Sequence, residues 1–155
     1  MLKVGDIAPD IRAVTSDGTN FVLSKQGGLC SVVYFFPKAF TPGCTAETKR
    51  FRDNFVELTL AGASVVGIST DDAATQCHFA QALTAPFPLI GDFDKAIARA
   101  YGVLWPLVGM ARRVTFIIAP DRSVLAIFRH ELQVVKHRDD VLRFVNDRRT
   151  AMRAG

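Results

Sequence analysis

The eight residues Leu29 to Phe36, LCSVVYFF, are nearly all apolar and rich in β-branched and aromatic side chains, and Pro37 comes directly after them. A run without polar alternation has no face to give to water. It therefore reads as a strand covered on both sides, buried between layers of a larger sheet. Proline cannot continue a central ladder, so the strand ends at residue 36. From Pro37 on, the chain must leave the sheet at its carboxyl edge, where open α/β sheets place their ligands.

The flanking segments supply the layers. Residues 11–15 and 19–23 surround Ser16-Asp17-Gly18 and predict a hairpin. Gly27-Gly28 marks a loop. A helix is expected from Pro42 to Ala61, with an apolar stripe at Phe51, Phe55 and Leu58 and a stop at Gly62. A buried strand at 64–69, a helix at 72–83 and a short strand at 87–90 come next. A helical segment then runs from Asp94 to Tyr101, closed by Gly102. Residues 103–112 form an apolar loop around Trp105 and Pro106. Strands at 113–118 and 124–129 are joined by Pro120-Asp121-Arg122-Ser123, and a last helix covers 138–151. The order implies an α/β fold with a central mixed sheet flanked by helices, its parallel parts joined by right-handed crossovers. At 155 residues, one domain over 1–155 is expected.

Composition removes several classes of function. No apolar run approaches the roughly 20 residues of a membrane span. Met1 to Asp10 has no basic region followed by an apolar stretch, so the expected compartment is the cytoplasm. The cysteines are Cys30, Cys44 and Cys77, with no CxxC pair. That argues against a disulfide scaffold, a zinc knuckle and a thioredoxin-type exchange motif. His78, His130 and His137 are scattered, without metal-ligand spacing, and no cofactor is implied. The net charge is +4 with a pI near 9.2, and the basic excess lies late, in Lys136, Arg138, Arg143, Arg148, Arg149 and Arg153. Asp139, Asp140 and Asp147 interrupt it and no aromatic platform accompanies it, so it reads as a solvated helix face rather than a nucleic-acid surface.

The stretch Pro37-Lys38-Ala39-Phe40-Thr41-Pro42-Gly43-Cys44-Thr45-Ala46-Glu47 is the most informative. Thr41 is a good N-cap and Pro42 suits the first helical position. Cys44 then falls in the first turn, near free backbone N–H groups and the positive end of the helix dipole. Both favour the thiolate, which is the nucleophilic form. Gly43 lets the backbone approach a small substrate closely. Taken singly, Thr41 can be only a cap, Glu47 only a dipole partner and Cys44 only a buried thiol.

The combination Pro37, Thr41 and Cys44 in a P-x-x-x-T-x-x-C pattern resembles the active-site motif of peroxiredoxins. The wider run YFFPKAFTPGCTAETKRFRD is similar to the bacterioferritin-comigratory, or Q-type, subfamily. The likeness extends through VGDIAPD, GIST followed by Asp71, FPLIGD, and Arg113-Val114-Thr115-Phe116. It implies a thioredoxin-like fold with an added N-terminal β-hairpin, and a thiol-dependent peroxidase acting on hydrogen peroxide and organic hydroperoxides. By the resemblance, Cys44 is the peroxidatic cysteine, Thr41 bonds to sulfur and peroxide, and Pro37 shields the thiolate from water. Arg113 stabilises the thiolate and the developing charge, and Glu47 orients Arg113. Arg112 is the neighbouring alternative, but strand alternation sends the two arginines to opposite faces. A non-enzymatic redox sensor or binding module on the same fold is the competing class.

Where many Q-type members carry a second cysteine five residues on, this chain has Lys49. Others of the subfamily place the resolving cysteine on the next helix, and here Cys77 sits there, about one turn early. A disulfide needs Cα atoms within about 7 Å, so helix ends would have to unwind. Cys30 starts the strand whose far end leads to Cys44, on the order of 20 Å away, and fits a small core residue. Two routes stand open: resolution by Cys77 with a thioredoxin-like reductant, or a lone Cys44 reduced by glutathione with glutaredoxin. Phe40, Trp105, Pro106 and Leu107 line an entrance, form a dimer contact or simply pack the loop. Monomer and homodimer are both compatible with the resemblance.

Overall fold

The computed structural model describes residues 1–129 and 134–154. The hairpin forms from β1 (Arg12–Val14) and β2 (Asn20–Val22), antiparallel with Ala13 opposite Phe21. The apolar run becomes β3 (Cys30–Phe35), every residue of it buried. Then come α1 (Pro42–Asp53), α2 (Phe55–Leu60), β4 (Ala63–Ser69), α3 (Ala73–Leu83), β5 (Leu89–Gly91) and α4 (Ala96–Tyr101). The chain finishes with β6 (Val114–Ile118), β7 (Val124–Phe128) and α5 (Val134–Ala154).

The main sheet has the order β5-β4-β3-β6-β7. β3, β4 and β5 run parallel, and β6 is antiparallel to both β3 and β7, so the sheet is mixed as expected. β3 lies in the middle with both of its faces covered, and β6 beside it is likewise buried along its whole length. The residues of β3 alternate between two cores. Val32, Tyr34 and Phe36 join Phe51, Phe79 and Val145 on the side of α1, α3 and α5. Val33 and Phe35 join Phe21, Tyr101 and Phe116 on the side of α4 and the hairpin. Among the described residues, no helix is long and apolar enough to cross a membrane.

Several boundaries differ from the sequence expectation, among them α4, which begins at Ala96 rather than 94, and β6, which begins at Val114 rather than 113. The helix expected over 42–61 breaks at Asn54, whose backbone turns to φ −110°. Its side-chain Nδ2 donates to Arg50 O at 2.8 Å beside its own backbone N–H at 3.1 Å, a local bond that competes with regular helix. The apolar stripe survives the break, with Phe51 and Leu58 buried. β5 starts at Leu89 rather than 87, because Pro88 offers the ladder no N–H. α5 begins at Val134 rather than 138. His130 lies outside the described residues.

The 103–112 loop is closed at its base. Trp105 N donates to Met110 O at 2.7 Å, Arg112 N donates to Val103 O at 2.8 Å, and Leu104 bridges Ala111. Leu107 stands at the tip, fully exposed, with φ 67°.

Asp92 anchors the turn into α4. It is 3% exposed, and its carboxylate accepts from Ile97 N at 3.1 Å and Ala98 N at 2.8 Å. Asp92→Ala is expected to lower stability by about 1–2 kcal/mol in urea unfolding, the upper range for a lost cap. Burial holds the Asp92 carboxyl above its ordinary value, against those two amides. The folded state thus binds this proton more tightly than the unfolded chain, and the group's ionisation subtracts stability as pH rises through its folded pKa. Asp92→Asn keeps one of the two accepting oxygens, so it should retain part of the cap while removing that part of the pH dependence.

Candidate active site

The site is built at the carboxyl end of β3. Phe36 N still pairs with Ile68 O at 3.0 Å, and at Pro37 the chain leaves the sheet. Residues 38–41 then reverse direction through a strained backbone. Phe40 has φ 65°, a left-handed conformation that costs a non-glycine residue about 1–2 kcal/mol. Its half-exposed ring packs edge-on against Phe79, centroids 5.2 Å apart. Ala39 N donates to Asp71 Oδ2 at 2.7 Å.

Thr41 occupies the N-cap position of α1, but its hydroxyl forms no cap bond. It donates instead to Lys38 O at 2.7 Å. The expected capping role is therefore corrected: the hydroxyl proton closes the 38–41 turn, and the oxygen keeps lone pairs with which to accept. Cys44 is the third residue of α1 and only 1% exposed.

Arg113 arrives from the opposite direction. Antiparallel pairing sets Val114 beside Phe35, so the residue just before β6 reaches the end of β3. Its Nη2 donates to Cys44 Sγ at 3.4 Å, and its Nη1 donates to Glu47 Oε1 at 2.7 Å. Glu47 is fully buried and Arg113 is 6% exposed. Cys44 and Glu47 are three residues apart, hence on one helix face, and the planar guanidinium spans both. Burial opposes the charge on Arg113, but Glu47 and Cys44 outweigh it and hold the group above its ordinary value. Arg112 points elsewhere, with its guanidinium 5.5 Å from the centre of the Trp105 ring.

Gly43 has a use that the sequence did not suggest. A Cβ at that position would stand 3.0 Å from Arg113 Nη2. The missing side chain makes room for the guanidinium. Sequence reasoning also missed the Tyr34 hydroxyl, which shares a 3.1 Å hydrogen bond with Thr48 Oγ1 beneath the same helix. Burial pushes this phenol well up from its ordinary value, so it stays a neutral hydrogen-bonding group. The available signal was Thr48 lying four residues after Cys44.

The other two thiols stand apart. Cys30 is buried at the opposite end of β3, and burial pushes its thiol up, against nearby Arg148. Cys77 is partly exposed on α3. Phe79 marks the face of α3 turned toward the site, since it packs on Phe36 and Phe40. Two residues at about 100° each separate Cys77 from Phe79, so the thiol projects from nearly the opposite flank. There it borders an open groove of about 410 Å³ with Ser16, Gln81 and Phe87. Pro37 and Lys38 border a different hollow of about 420 Å³, walled by Phe93, Val108 and Met110. Among the described residues, no group of acidic, histidine or cysteine side chains is arranged to hold a metal ion.

Residues 4–127 match the AhpC/TSA family. The chain is 35% identical to Peroxiredoxin Bcp of Escherichia coli (strain K12), over 94% of this chain and 97% of that protein. It is also 35% identical to a chloroplastic Peroxiredoxin Q of Gentiana triflora, over 91% of this chain, and spans 65% of that protein's length. Its backbone resembles the crystal structure of Peroxidoxin BcpB from Mycobacterium tuberculosis, with TM-score 0.87, 35% identity and coverage of 95% of this chain and 98% of that one.

Proposed function

The chain belongs to the AhpC/TSA family, and from that premise we propose that it is a thiol-dependent peroxidase whose working sulfur is Cys44. The observation that carries the reading is the buried Cys44 sulfur in the first turn of α1, 3.4 Å from the guanidinium that Glu47 holds. The Cys44 thiolate attacks the outer oxygen of a hydroperoxide, an S–O bond forms and the O–O bond breaks. The leaving oxygen takes a proton and departs as water or an alcohol, leaving a sulfenic acid. Arg113 stabilises the thiolate and the charge that develops on the oxygens. Thr41, through its lone pairs, accepts a hydrogen bond from the incoming peroxide, and Pro37 keeps water off the sulfur. Glu47 holds the guanidinium in register. The hollow beside Pro37 sets Phe93, Val108 and Met110 among charged Lys38, Asp71 and Lys95, and the reading takes organic hydroperoxides as well as hydrogen peroxide as substrates.

Reduction then needs thiols. One attacks the sulfenate, releasing water and forming a disulfide, and a second reduces that disulfide. The flank from which Cys77 projects favours an external thiol, with glutathione and glutaredoxin as the donor system. A second reading has Cys77 resolve the sulfenate after α3 unwinds, with thioredoxin as donor. It is favoured by Cys77 being, among the described residues, the one cysteine that is not buried. The protein acts as one domain in the cytoplasm, as a monomer or a homodimer.

The test is rapid-mixing oxidation of the wild-type protein by one equivalent of hydrogen peroxide, with the products identified by mass spectrometry. Peroxidase function predicts a rate constant within about 10⁴–10⁸ M⁻¹s⁻¹. A rate equal to that of free cysteine in the same buffer makes the chain a slow redox sensor instead. Cys77→Ser should leave glutathione-dependent turnover within about twofold of wild type, as surface changes off the reaction path do. A Cys44–Cys77 bond in the wild type, with turnover lost in the variant, establishes the thioredoxin route.

A further inference from the structure

The 38–41 turn carries a contradiction that only its surroundings resolve. A left-handed phenylalanine persists where neighbouring groups over-determine it. Here the buried Phe79 holds the ring of Phe40 from the core side, and Asp71 holds the backbone just before it, through Ala39 N at 2.7 Å. The Asp71 carboxylate is itself fixed. Ser69 Oγ, wholly buried at the end of β4, donates to the same Oδ2 at 2.6 Å and accepts from Asp71 N at 3.3 Å. Next to it, Thr70 Oγ1 donates to Gly109 O at 3.3 Å, tying the same corner to the 103–112 loop. One rigid corner after β4 thus governs the turn between Pro37 and Thr41, thirty-two residues away from Ala39 in sequence.

We propose that Asp71 is a positioning residue for peroxide reduction: its carboxylate, oriented by Ser69 and bonded to the amide of Ala39, holds the 38–41 turn so that Pro37 and Thr41 face the Cys44 sulfur. The inference rests on the peroxidase reading. The hydrogen bonds of Asp71 go to Ala39 and Ser69, whereas Cys44 bonds Arg113, so removal of the Asp71 carboxylate leaves the sulfur with its guanidinium and disturbs the groups that receive the peroxide. Misplacement of such groups by about 1 Å costs up to about 10²-fold in rate.

The experiment compares two reagents on the same sulfur. Cys44 modification is quantified by peptide mass spectrometry after hydrogen peroxide, whose reaction needs the turn, and after iodoacetamide, which needs only the thiolate. Asp71→Ala should slow the peroxide reaction about 10–100-fold while changing alkylation less than about threefold. Asp71→Asn keeps an oxygen that can accept from Ala39 N, and should recover to within about threefold of wild type. Ser69→Ala, which loosens the carboxylate without removing it, should slow the peroxide reaction about 3–10-fold and spare alkylation, and it serves if Asp71→Ala does not fold. Equal slowing of both reagents, slowing of neither, or an Asn variant as slow as the Ala variant overturns the proposal. A wild-type protein no faster with peroxide than free cysteine sinks the peroxidase reading itself, whatever the variants do.

Discussion

Cys44→Ser is expected to abolish peroxide turnover, a fall of roughly 10³-fold or more of the kind seen when a nucleophile is removed. The loss should leave the fold intact. The side chain is 1% exposed in the core cluster with Tyr34 and Phe51, and serine is nearly the same size. The hydroxyl can accept from Arg113 Nη2, which now bonds the sulfur. An alcohol at this position has neither the ionisation nor the polarizability to open an O–O bond. The measurements are peroxide consumption with a thiol donor and thermal unfolding of the same sample. Turnover at wild-type speed in the serine variant would move the chemistry elsewhere in the molecule.

The second large effect concerns Arg113, where rate and stability must be separated. Arg113→Met should lower the rate of Cys44 oxidation by about 10²–10³-fold, as for loss of one preorganised donor to developing charge. It also removes the guanidinium bonded at 2.7 Å to Glu47, which is wholly buried, so stability should fall by about 3–5 kcal/mol. The paired variant Glu47→Gln/Arg113→Met removes the buried negative charge together with the guanidinium that balances it. It should regain most of the stability and none of the rate. Recovery of the rate together with the stability would show that Arg113 acts only as a structural ion pair.

The sequence was most informative where one residue type has one solution. LCSVVYFF followed by proline has the pattern of a covered strand ending at the sheet edge, and β3 is that strand. Arg113 and Arg112 separate as alternation along an extended chain leads one to expect, although both precede β6: Arg113 bonds Cys44 and Glu47, and Arg112 lies over Trp105. Bonds between distant segments were not legible. Asp71 accepts from Ala39 across thirty-two residues, and no local pattern announces that. The Thr41 hydroxyl had two acceptable partners, and only the closed turn shows that Lys38 O receives its proton. The break at Asn54 was hidden because the apolar spacing of Phe51, Phe55 and Leu58 is satisfied with or without it. The direction of Cys77 was within reach of the sequence. Gln76, Phe79 and Leu83 mark the buried stripe of α3, and residue 77 falls off it.

The loop before β6 is pinched shut at its root by Arg112 N on Val103 O, while Val114 is locked beside Phe35. Whatever the tip around Leu107 does, the guanidinium arrives at the same address. Selection can therefore lengthen, shorten or repaint that outer crest, changing which molecules are welcomed, while the reacting centre keeps its tuning.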